Sequence, residues 1–229
     1  MKTVCFFIVA SVLWSAAAFA DLSTSELERV QKATEVVAAL REAPDRGIPE
    51  DLWGKAECVI VMPSVKKAAF GVGGEFGKGV MSCRQGTGWT APVFMEMAKG
   101  SFGLQIGAQA TDLVLLVMNR QGVNRMLDDH VTLGTDASVA AGPVGRTGVA
   151  ATDHKFNAEV LSYSRSKGLF AGIDVSGGVL RPDKDSNEHA YGTGTTAKAV
   201  VSTGAATPAQ MQPFTTSLGS NTRATTGRR

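Results

Sequence analysis

Neither sign of charge dominates this chain: 23 Lys and Arg stand against 21 Asp and Glu. Such balance argues against a nucleic-acid binder, which usually carries a marked basic surplus. Histidine is scarce, and His130, His154 and His189 are well separated. Three cysteines occur without a CxxC pair, so no metal site and no cofactor are expected. No serine sits in a G-x-S-x-G turn, and no histidine has the setting of a triad partner. Gly71-Val-Gly-Gly-Glu-Phe-Gly77 fails the dinucleotide spacing at Phe76 and the Walker pattern after Lys78. Asp128-Asp129-His130 is the densest titratable cluster and reads as an exposed helix end rather than a cation site or acid–base pair. Asp136, Asp153, Asp174 and Asp183 are scattered, without a glycosidase spacing. These absences together exclude a recognisable catalytic apparatus. A non-enzymatic protein is expected.

Long apolar runs are also missing beyond the first 20 residues. There, Lys2 supplies a positive start, Cys5 to Leu13 an apolar core, and Ala18-Phe19-Ala20 a small-x-small cleavage signal. The run is too short for a retained spanning helix, which needs roughly 18 apolar residues or more. Cys5 lies upstream of the apolar core, so a lipid-modified N-terminal cysteine is not expected. Residues 1–20 therefore read as a signal peptide, 21–219 as one domain and 220–229 as a polar disordered tail. The expected location is periplasmic or secreted. Loss of Lys2 with the leader would leave a basic excess of a single charge, so any membrane attraction must come from a local patch.

Two cysteines remain, Cys58 and Cys83. In an oxidising compartment an isolated pair is most simply a disulfide; the alternative is two buried thiols at neighbouring strand positions.

What is present is glycine, 26 residues of it, set among apolar residues at strand spacing. Phe102-Gly-Leu-Gln-Ile-Gly107 and Tyr163-Ser-Arg-Ser-Lys-Gly-Leu-Phe-Ala-Gly-Ile173 show this best. Glycine inside strands marks bends, bulges or close backbone approach. The expected fold is α+β: a curved antiparallel sheet or barrel-like core with an N-terminal helix and short C-terminal helices. The helix spans Ser23 to Arg41, opened by a Ser23/Glu26 capping box. Its stripe of Leu27, Val30, Ala33, Val37 and Leu40 suits docking on its own domain or on a membrane. The mixed-sign polar face favours docking, because membrane helices concentrate Lys and Arg there.

A helical turn is expected from Pro49 to Trp53, and a strand from Glu57 to Met62 ended by Pro63. Further strands are expected at Ala68–Phe76, Gly79–Arg84, Ala91–Ala98, Ser101–Ala110, Leu113–Met118, Val131–Leu133, Ala137–Ala141, Ala158–Ser164 and Leu169–Leu180. Asn119 caps a helix running to Leu127, and Thr195–Val201 and Pro208–Leu218 read as short helices. Lys78-Gly79, Lys99-Gly100 and Lys167-Gly168 look like hairpin tips. In an up-and-down meander Lys78 and Lys99 share one end, with Lys66, Lys67 and Arg84 at the other.

Seven ordered blocks carry a resemblance. They are Val61-Met-Pro63, Lys67-Ala-Ala-Phe-Gly-Val-Gly-Gly74, Trp89-Thr-Ala-Pro92, Phe102–Gly107, Ala140-Ala-Gly-Pro-Val-Gly145, Tyr163–Gly172 and Tyr191-Gly192. Together, over about residues 22–218, the chain resembles the SYLF-domain family. The resemblance implies a non-enzymatic lipid-binding domain. Eukaryotic members bind phosphoinositides, some associate with actin filaments, and bacterial members are commonly exported. The helix here lacks a basic face, and these 229 residues show no SH3 or FYVE-like segment, so helix-led docking and the actin role are not carried over. The expected function is binding of anionic phospholipid at a membrane surface through Lys66, Lys67, Lys78 and Lys99. The alternative is a structural or protein-interaction module of the cell envelope, its protein partner unspecified.

Overall fold

Two long strands organise the molecule. This computed structural model describes residues 21–42, 47–145, 158–166 and 168–219, with the backbone path for residues 68–72 and 101–109. The expected leader, the stop at Ala43-Pro44-Asp45, Lys167 and the tail lie outside the described residues.

Strand β1 (Cys58–Gln85) turns through Gly86 and the short β2 (Gly88–Trp89) into β3 (Val93–Val117). The two long strands pair antiparallel from Cys58↔Val117 to Met81↔Val93. Register shifts interrupt the ladder between Met62 and Val65 and between Ala69 and Gly71. At the second shift Phe70 stands against Leu104, Gln105 and Ile106, an excess of residues that bends a ribbon.

The ribbon then doubles back on itself. Cys58 and Cys83, near the two ends of β1, are bonded with sulfurs 2.04 Å apart. The Arg84 N–H donates to Glu57 O at 2.7 Å, and Lys67 pairs with Glu75 at 3.1 Å. Gly77 and Gly79 make the fold possible. A Cβ on Gly77 would stand 2.7 Å from Val65 Cγ2, and one on Gly79 2.0 Å from Val61 O.

Folding the ribbon gives it an inner and an outer face, and both are buried near its ends. Inside lie Cys58, Ile60, Met62, Met81, Cys83, Met95, Leu113 and Leu115. Helix α3 (Arg120–Met126) and helix α5 (Ala197–Thr203) help close this side through Val123, Met126, Ala197 and Val200. Outside, Val59, Val61, Val80, Phe94, Val114 and Leu116 meet α1 (Thr24–Glu42), α2 (Glu50–Lys55) and α6 (Gln212–Ser217). Alternation along a strand sends successive residues to opposite faces, which is why each long strand feeds both cores. Helix α1 buries Val30, Ala33, Val36, Val37 and Leu40 here, so its apolar stripe is spent on the domain. Its capping box forms: the Ser23 N–H donates to Glu26 Oε2 at 2.7 Å, and the Glu26 N–H to Ser23 Oγ at 3.4 Å.

Shorter strands extend the sheet. β3 pairs with β6 (Val160–Ser166) through its second half and with β8 (Val179–Pro182) through its first. β4 (Val131–Thr132) adds to β8, and β7 (Leu169–Gly172) to β6. β5 (Val139–Ala141) joins β6 in parallel, an exception in an otherwise antiparallel, curled half-barrel. The expected α+β class with an N-terminal helix and short C-terminal helices is what forms.

Four local expectations need correction. Pro63 does not end its strand, because the register shift beside it absorbs the missing N–H. Lys78-Gly79 and Lys99-Gly100 are not hairpin tips; both lie within continuous ladder. The segment 169–180 is two strands, parted by a turn at Ser176-Gly177. Helix α4 (Lys184–Tyr191) was not expected. It has little apolar period and docks by hydrogen bonds instead: Asn187 accepts from the Phe94 N–H at 2.8 Å and donates to Phe94 O at 2.9 Å.

Candidate functional site

The four lysines expected to act together are dispersed. Lys66 is exposed on the outer face, close enough to α1 that its charge, behind that of Lys32, helps hold Glu28 below the ordinary carboxylate value. Lys67, one residue on, belongs to the inner face and pairs with Glu75. Glu75 is also the register partner of Lys99, so these two lysines flank one carboxylate. The meander's prediction that they sit at opposite ends fails because the ribbon folds in half.

Lys78 has a structural post. Its ammonium reaches Asp183 Oδ2 at 2.9 Å and Glu96 at 3.5 Å. Asp183 caps α4, accepts from Arg29 Nη1 at 2.8 Å and from Ser186 Oγ at 2.9 Å, and is buried. Burial alone would raise this carboxyl, but hydrogen bonds from Lys78, Arg29 and Ser186 outweigh it and hold the group below its ordinary 3.8. Three elements, α1, β1 and α4, are thus fastened through one carboxylate.

Beyond this cluster the outer face changes character by rungs. Lys78, Glu96 and Arg181 are register partners across β1, β3 and β8, and Arg181 reaches Glu96 at 2.5 Å. The next rung toward the bend is Phe76, Ala98 and Val179. All three are exposed, Phe76 at 48% and Val179 at 36%, the former unusual for so large an apolar side chain. They border an open groove of about 500 Å³ that also takes in Asp129, His130 and Arg181. The following rung is Gly74 with Gly100, also exposed. Sequence reading found the cations but missed this row, whose members lie far apart in the chain.

Asp128, Asp129 and His130 are exposed just past α3, as expected of a helix end. Among the described residues no cluster of three or more His, Cys, Asp or Glu is placed to hold a metal ion. No described helix is long and apolar enough to cross a membrane.

The family described as Ysc84, Las17-binding protein actin regulator, matches residues 98–221, more than half of the chain. The chain belongs to this Ysc84, or SYLF, family. The match runs from the exposed row at Ala98 through β8 and the C-terminal helices. LAS seventeen-binding protein 3 of Saccharomyces cerevisiae is 34% identical over 174 residues, 74% of this chain and 38% of that protein. SH3 domain-containing YSC84-like protein 1 is 35% identical over 154 residues in Xenopus laevis and 34% over 164 in Mus musculus. These cover 66% and 71% of this chain, and 46% and 47% of theirs. The chain thus spans less than half the length of these curated relatives. Their names describe binding and SH3-containing proteins rather than enzymes.

Proposed function

We propose that this domain binds anionic phospholipid at a membrane surface and carries out no covalent chemistry. The observation that carries the reading is the exposed Phe76–Ala98–Val179 row, set on a sheet face that helices cover elsewhere. Contiguous exposed apolar surface of this kind marks an interaction site. The adjoining ribbon, residues 66–76 with 98–110, carries three lysines against one glutamate, so its charge suits an anionic partner. Each lysine near such a surface contributes about 1 kcal/mol, weakened by salt. Within this reading residues 1–20 direct export, and the domain works in the periplasm or outside the cell, peripheral to a membrane. Lipid contact passes to Lys66 first, with Lys67 and Lys99 adding to the field from the inner face.

Flotation tests this. The protein should rise with vesicles of phosphatidylglycerol and phosphatidylcholine and much less with phosphatidylcholine alone. Equal binding to both removes the electrostatic part, and no binding to either removes the function.

A second reading, a protein-interaction module of the envelope, is favoured by the family's description and one relative's name, which specify binding to Las17 and LAS seventeen. It predicts a stoichiometric protein partner co-purifying with the native chain, with no lipid in the extract.

A further inference from the structure

The groove along Phe76, Ala98 and Val179 is one end of a longer trough. It shares Glu96, Asp129 and Arg181 with a second groove of about 700 Å³, which continues over Lys78 and the first turns of α4. Strand register fixes the order along it. The Phe76–Ala98–Val179 rung comes first, and the Lys78–Glu96–Arg181 rung follows two residues, about 7 Å, further on. From Arg181 the chain runs through Pro182 and Asp183 into α4, which sets Asp185 and Glu188 beyond that rung. An apolar strip is thus followed by an exposed guanidinium and then by carboxylates. The polar end is acidic on balance: among the described residues lining it are five carboxylates and three cations. Asp183 is committed to Lys78 and Arg29, whereas Asp129 and Asp185 are exposed. A head carrying negative charge alone would meet more repulsion than attraction there.

Resting on the phospholipid reading above, we infer that this trough holds one aminophospholipid molecule. Its acyl chain lies along the apolar strip, its phosphate at Arg181 and its ammonium at Asp185 and Glu188. The order tail, phosphate, ammonium in such a lipid is the order strip, cation, carboxylates in the trough. Arg181 gives Nε to Glu96 at 2.5 Å, and the rest of its planar fork suits phosphate oxygens. A primary ammonium offers three N–H donors to the carboxylates. A choline head offers none, and a glycerol head carries no positive charge. Phe76 and Val179, exposed at 48% and 36%, leave water when a chain lies over them. The lysines of the ribbon draw the domain to an anionic surface, and the trough selects a zwitterionic lipid within it.

The test uses the full chain and dihexanoyl lipids, which stay monomeric below their micellar concentration and so report binding of single molecules. Isothermal titration should give a single site for dihexanoyl phosphatidylethanolamine. Its affinity should be about tenfold above that for the choline or glycerol lipid, the scale of one charge-assisted hydrogen bond. Asp185→Asn with Glu188→Gln should abolish that preference and leave the choline lipid's affinity unchanged. Arg181→Gln should weaken the ethanolamine and choline lipids alike, about tenfold. Phe76→Ser should weaken both lipids but not glycerophosphoethanolamine, the head without chains. None of these four residues is fully buried, so the variants should fold, which melting curves check. Equal affinity for ethanolamine and choline heads overturns the ammonium site. Flotation on phosphatidylglycerol vesicles without soluble-lipid binding overturns the trough and leaves the surface reading standing. Neither flotation nor soluble-lipid binding removes both. Capture of a cationic leucine–lysine peptide in place of the lipid makes the trough a protein-docking groove and overturns the assignment.

Discussion

Gly79 packs against the backbone of Val61 so closely that a methyl group on it would stand 2.0 Å from the Val61 carbonyl oxygen. The two residues belong to one strand, and their contact is what folding that strand in half requires. Backbone cannot retreat from such an overlap as a flexible side chain would. Gly79→Ala should therefore destabilise by about 3 kcal/mol, at the upper end for overpacking. Gly74→Ala, with its nearest outside atom 3.7 Å away, should change stability far less. Urea melts of the two variants check the contrast.

The Cys58–Cys83 bond closes a separation of 25 residues. Chain entropy assigns such a closure about 3.5 kcal/mol. Melting with and without reductant should show that loss, and Cys58→Ser with Cys83→Ser together should match the reduced protein. A reduced protein as stable as the oxidised one would mean that the flanking packing alone holds the ribbon shut.

Asp183 predicts an acid limb. Its folded pKa is depressed, so its contribution is present above its ordinary value of 3.8 and is lost as pH falls through the folded value. Asp183→Asn should cost about 3 kcal/mol at neutral pH, because Arg29 and Lys78 are left facing a neutral group. The variant's stability should also fall less steeply than the wild type's below pH 3.8. Thermal melts across acid pH read both effects.

Lys66 and Lys78 should part company experimentally. Lys66→Glu should leave the melting temperature nearly unchanged and weaken flotation on anionic vesicles, a difference that shrinks as salt rises. Lys78→Glu should lower the melting temperature, because it sets a carboxylate against Asp183 and Glu96. A Lys66→Glu protein that floats like the wild type retires that residue from the site.

Much of the fold was legible where its cause is local. Ser23 with Glu26 announces one helix start and Asn119 another, and the caps form as read; an isolated cysteine pair announces a bridge. The doubling back of β1 was not legible. Glycine beside Lys78 fits a hairpin tip and a close crossing equally well, and the choice is made by Val61 and Val65, which sequence does not place nearby. Helix α4 escaped because Ser186 and Asn187 are buried by hydrogen bonding, which leaves no apolar period to read. For the candidate site, composition showed the lysines but not that Lys78 is committed to Asp183. Nor did it show that Ala98 brings Phe76 beside Val179, since such a row exists only once register is set.

The bridge between Cys58 and Cys83 spans one strand rather than two, so most of β1 is a covalent loop. Held by its termini and stretched, the oxidised molecule would pass tension through the sulfurs and leave that loop slack. Its fully extended contour should fall short of the reduced chain's by roughly 80–90 Å, at about 3.5 Å for each of the 25 sequestered steps. A pulling experiment would see the ribbon's fold as missing length.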